Sequence, residues 1–112
     1  INEDKLNSSL KLSPQSYSFI CSLRDKAIYE KDKAEKEKDI AFSNAYIYYR
    51  DMPNMNNDKA THLANTNKKY QSKLDIFQKA QYIASTLISA CRAYENRERI
   101  LQTLSANMRR ER

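Results

Sequence analysis

Two cysteines, one histidine and eight tyrosines are the side chains of this 112-residue sequence best suited to chemistry. Cys21 and Cys91 each sit among apolar residues at helical spacing; they can pair in principle, but read as reduced core thiols of a cytosolic chain. His62 has no second histidine or cysteine at ligand spacing, so no metal site is expected. It also leaves a Ser-His-Asp set without a base, and most carboxylates stand four residues from a lysine, as Glu35 does from Lys31 and Glu37 from Lys33. The sequence contains no glycine. That excludes phosphate loops, dinucleotide fingerprints and nucleophile elbows, all of which need glycine's backbone freedom. Neither an enzyme nor a bound cofactor is expected, which leaves binding and assembly.

The binding chemistry lies in cations and aromatic rings. Twenty Lys and Arg against fourteen Asp and Glu give a net charge of +6. Residues 1–58 carry nine basic and ten acidic side chains, net −1; residues 59–112 carry eleven and four, net +7. A polyanion is the natural partner of such a surface. Tyr46, Tyr48 and Tyr49 precede Arg50, and Lys59, Lys68, Lys69 and Lys73 form the best basic surface. Rings that stack on bases beside cations that meet phosphates suit single-stranded nucleic acid. The plainer reading makes the tyrosines half-buried packing residues, the charge a solubilising coat and Arg109–Arg112 a frayed tail.

The elements that must position these groups are helical throughout. Residues 1–12, with Leu6, Leu10 and Leu12 as their apolar anchors, read as a flexible or docking arm. Ser13 is placed to cap a helix whose first position is Pro14, and nothing breaks it before Asp51, roughly 55 Å at 1.5 Å per residue. Within it, Glu30 to Asp39 has only Ala34 as an apolar residue and reads as a solvated rod that projects rather than packs. Pro53 and the asparagines at 54, 56 and 57 mark a turn over 52–58. Asp58 or Asn57 then caps a second helix running unbroken over 59–112. Along it, Ile76, Ala80, Ile83, Leu87, Ala90, Tyr94, Arg97, Leu101, Leu104 and Met108 step alternately by four and three, a heptad seam with only Arg97 out of character. A neighbouring stripe runs through Tyr70, Leu74, Phe77, Gln81, Ala84, Ile88 and Cys91. Two stripes imply that one packs on the first helix and the other on a second copy. The expected fold is therefore an all-α two-helix hairpin that oligomerises through residues 70–108. Its longest uncharged stretches are too short to span a membrane.

The stretch EKEKDIAFSNAYIYYR, ending at Arg50, resembles the UvsY-type recombination mediator proteins of T-even-like bacteriophages: a charged helix, an aliphatic-Ala-large pattern at Ile40, Ala41 and Phe42, and a Tyr-Tyr pair at Tyr48 and Tyr49 before an exposed turn. ACRAYENRERILQTL is similar to that family's C-terminal helix, with alanines at 90 and 93, an arginine at 97 and aliphatics at 101 and 104. Together these segments cover about a third of the chain. One departure stands out: the family has basic side chains just before the tyrosine pair, where this chain has Ser43, Asn44 and Ala45, so the family's DNA contacts are not carried over residue by residue. The resemblance implies a homo-oligomeric ring, described for the family as heptameric, in the cytoplasm of an infected bacterial cell. It would bind single-stranded DNA, remodel single-strand-binding protein and load a RecA-like recombinase, without hydrolysing nucleotide.

On this reading Lys36, Lys38, Arg50, Lys59, Lys68, Lys69 and Lys73 meet phosphates, and Tyr46, Tyr48 or Tyr49 stacks on bases. Ile76, Ala80, Ile83, Leu87, Ala90, Tyr94, Leu101, Leu104 and Met108 form the assembly seam. The rival from another class is a structural or adaptor helical hairpin of a phage, whose charges only solvate it.

Overall fold

The computed structural model describes the backbone of residues 3–111 and the side chains of residues 15–111. It is all-α: helix α1 spans Glu3–Arg50, α2 Asn57–Thr66 and α3 Lys68–Arg110, with no strand among the described residues. The expected arm is not separate at the backbone level, because α1 begins at Glu3 and carries Pro14 inside it. An interior proline forfeits a helix hydrogen bond, yet α1 continues through it. The side-chain roles expected of Leu6, Leu10, Leu12 and Ser13 lie outside the described residues.

The turn is where expected. Past Arg50 the helix closes with Asp51 N–H donating to the Ile47 carbonyl at 3.2 Å and Met52 N–H to that of Tyr49 at 3.1 Å. Asn54 takes a positive φ of 58°, a left-handed conformation that asparagine tolerates better than most residues. The cap of α2 is Asn56, one residue before the expected candidates: its side chain accepts from Lys59 N–H at 2.8 Å.

The second helix is not continuous, which corrects the two-helix expectation. Asn67 is extended, with ψ at 133°, and its side-chain oxygen accepts from Tyr70 N–H at 3.1 Å, capping α3. Thr66 directs its hydroxyl to the His62 and Leu63 carbonyls. Asn-Thr-Asn at 65–67 breaks a helix without proline or glycine, because these side chains compete for backbone partners.

The chain divides into two packed units. In one, residues 27–84, the end of α1 packs antiparallel to the start of α3, with α2 beside them. Its buried residues are alanines: Ala27, Ala34, Ala45, Ala60, Ala64 and Ala84. Alanine lets helix backbones approach closely, while larger apolar groups pack around the contact. Phe42 meets Tyr70 edge-on with 5.3 Å between ring centres, and Lys38 Nζ stands 4.6 Å from the centre of the Phe77 ring. The charged segment 30–39 therefore packs, contrary to the projecting rod expected of it. Ala34 is buried there, and Lys31 pairs with Asp32 at 3.4 Å, not with Glu35.

In the other unit, residues 1–26 and 85–112, one face of α1 meets the end of α3 through Tyr17. Cys91 and Ser105 are buried, and Tyr17 stacks on Tyr94 with ring centres 5.9 Å apart.

Candidate nucleic-acid interface

At the turn, side chains of α1 are tied to Asn57 at the start of α2 and to Asn67 between α2 and α3. Asn57 Oδ1 accepts from the Tyr46 hydroxyl at 3.0 Å and from Arg50 Nε at 2.8 Å, and the Arg50 guanidinium also donates to the Met55 carbonyl at 3.0 Å. Asn67 Nδ2 donates to the Tyr49 hydroxyl at 3.3 Å. Arg50, Tyr46 and Tyr49, all expected at the DNA, thus have structural work in the turn. Tyr48 does not share it: its ring meets Tyr49 edge-on at 5.3 Å and is 64% exposed.

Beside Tyr48 lies a hollow of about 810 Å³ between α1 and the start of α3. Ile40, Ala41 and Ala45 give it an apolar floor, and Lys68, Lys69 and Lys73 stand along its α3 side. The helix break at Asn67 places Lys68 and Lys69 in the first turn of α3, where their backbone N–H groups also add positive potential. One acid intrudes: Glu37 lies 3.5 Å from Lys73 Nζ, with both side chains close to half exposed. Three lysines against one carboxylate leave the hollow net positive. An apolar floor, one open tyrosine ring and a cationic rim can hold a flat heteroaromatic ring while anchoring an anion attached to it.

Of the ten residues singled out for nucleic acid, the hollow gathers Tyr48, Lys68, Lys69 and Lys73. Lys36 lines a neighbouring depression that shares Ile40 and Asn44 with it. Lys38 is spent on packing, since it covers Phe77 and pairs with Asp39 at 3.3 Å. Lys59 is exposed on α2. The floor residues were missed as site residues because Ile40 and Ala41 stood out in the sequence only as part of an aliphatic-Ala-large pattern.

The stripes of α3 do not divide cleanly between α1 and an open face. Tyr70, Phe77, Ala84 and Cys91 turn to α1, while Ile76 and Ile83 remain 48% and 54% exposed. Seven residues apart, they share a face, as do the exposed Ile40 and Ile47 on α1. Tyr94, assigned to the seam, stacks on Tyr17 of its own chain. Leu87, Ala90, Leu101, Leu104 and Met108 are half-buried.

A second polar cluster joins α1 to α3 in the other unit. The Tyr17 hydroxyl donates to the Glu95 carboxylate. That bond, the neighbouring Cys21 and partial burial hold Tyr17 above the ordinary tyrosine range. Burial pushes the Cys91 thiol up, although the Arg24 charge opposes it. Arg24 itself is raised, first by Asp25, at 3.2 Å. Among the described residues no group of three or more His, Cys, Asp or Glu is placed to hold a metal ion, and no helix is long and apolar enough to cross a membrane.

No family model, curated protein or solved structure matches the chain.

Proposed function

We propose that this protein binds single-stranded DNA along the face that carries the lysine-rimmed hollow, and acts as a recombination mediator that helps a RecA-like recombinase load onto DNA coated with single-strand-binding protein. The hollow is the observation that carries the binding: Tyr48 offers a ring to a base, Ile40 and Ala45 an apolar floor, and Lys68, Lys69 and Lys73 three cations to the backbone. The mediator role rests on the resemblance of residues 35–50 and 90–104 to the phage family. Exposed Ile76 and Ile83 support assembly with further copies, and a homo-oligomeric ring multiplies weak lysine contacts because one strand engages several subunits at once.

Fluorescence anisotropy with labelled oligo-dT across a salt series tests the binding. Affinity falls steeply with salt, and replacing Lys68 and Lys69 by alanine lowers it by about tenfold or more and reduces the log–log salt slope by about 1.4. Absent or salt-independent binding overturns the reading. The mediator role is tested separately, by recombinase assembly on coated DNA with and without this protein.

A structural or adaptor hairpin is the second reading, favoured by the internal engagement of Arg50, Tyr46, Tyr49 and Lys38. Under it, alanines at Lys68, Lys69 and Lys73 leave assembly and every activity unchanged.

A further inference from the structure

In the unit formed by the start of α1 and the end of α3, antiparallel contacts advance in step. Tyr17 bonds Glu95. Four residues further along α1 is Cys21, and four residues back along α3 is Cys91. Four residues are just over one turn on each helix, so the rung after Tyr17–Glu95 is Cys21–Cys91. Neither cysteine is bridged, and Cys21 adds to the upward shifts of Tyr17, set first by its bond to Glu95, and of Cys91, set first by burial. Cys91 is 2% exposed, whereas Cys21 is partly accessible.

We propose that Cys21 and Cys91 are an oxidation site that closes to an intrachain disulfide when the protein meets a peroxide. Cys21, the accessible partner, attacks the peroxide oxygen as thiolate; an S–O bond forms, the O–O bond breaks, and the departing oxygen leaves as water after taking up a proton. Cys91 then attacks the sulfenic sulfur, the S–S bond forms and the sulfenic oxygen leaves as a second water. Two thiols and one hydrogen peroxide give one disulfide and two waters, the sulfur pair losing the two electrons that the peroxide gains. The product pins α1 to α3 across about 70 residues of intervening chain, and a dithiol reverses it. This inference is independent of any nucleic-acid role.

The test treats the reduced full chain with one equivalent of hydrogen peroxide. The expected result is an intact mass lower by about 2 Da, loss of alkylation at both cysteines under denaturing conditions, a tryptic fragment joining their peptides, and a melting temperature raised by roughly 10 °C that dithiothreitol restores. Cys21→Ser abolishes all four changes. A mass gain of oxygen at Cys21 without loss of the Cys91 thiol, two thiols that stay alkylatable, or a cross-link found only between chains on a non-reducing gel overturns the proposal. The wild-type mass and peptide map decide it even if a Cys91 variant fails to fold.

Discussion

Lys73 reaches from α3 to Glu37 on α1, 3.5 Å from Nζ to Oε2, so one of the three lysines of the hollow is partly neutralised before any ligand arrives. A half-exposed pair of this kind is worth about 0.2–1 kcal/mol. Glu37→Gln is therefore expected to strengthen oligo-dT binding by about 1.4- to 5-fold. Anisotropy at low salt checks this, and an unchanged or weakened affinity would mean that Lys73 does not face the strand.

Asn67 both caps α3 and ties it to Tyr49. Asn67→Ala removes both bonds and is expected to cost about 1 kcal/mol, a fall of several degrees in melting temperature. Asn67→Asp keeps the acceptor for Tyr70 N–H and adds a negative charge at a helix start, so it should lie near wild type by thermal circular dichroism. Equal losses in both variants would shift the weight from the cap to the Tyr49 contact.

Ile83 lies exposed beside Ile76 on a face that α1 does not cover. If a second copy covers it, Ile83→Asp buries an unpaired charge there, at about 3–5 kcal/mol, and mass by light scattering should fall to that of one chain. Ser89→Asp, away from that face, should leave the mass unchanged. An intact oligomer for the Ile83 variant places the interface elsewhere.

Tyr17 supplies a pH dependence whose sign follows from its bond to Glu95. Its folded pKa lies above that of an unfolded tyrosine, about 10, because only the neutral hydroxyl can donate to the Glu95 carboxylate. The resulting stability is complete below about pH 10 and declines as the pH rises above it. Melting curves at pH 9 and above 10 should show a larger loss for wild type than for Tyr17→Phe. Parallel losses would show that this hydroxyl does not contribute.

The helical class, the turn at 52–58 and the two stripes of α3 were legible because each follows from local rules: absence of glycine, one Pro-Asn turn, and a period of three and four. The α2–α3 break was legible in principle from Asn65-Thr66-Asn67, yet it carries neither of the residues that usually announce a break. Ion pairing was less legible, since Lys31 chose the adjacent Asp32 over Glu35. The lysines of the hollow were readable as a cationic set, but its floor was not. Ile40 and Ala45 belong to a binding surface only once α1 and α3 have a register, and register depends on the connection between them, here interrupted at the extended residue 67. The same missing register hid the Cys21–Cys91 rung.

The alanines buried in the 27–84 unit have a consequence for tolerance to change. Ala60 and Ala64 are 0% exposed and Ala84 is 1% exposed, and the largest fully buried side chain of the described protein is a cysteine. In most cores truncation does the damage; at these positions there is almost nothing to truncate. Alanine to glycine at these positions costs about 1 kcal/mol through helix propensity, whereas leucine must push two backbones apart. A saturation screen should find its least forgiving sites at the smallest residues, and the damage there should grow with the volume added.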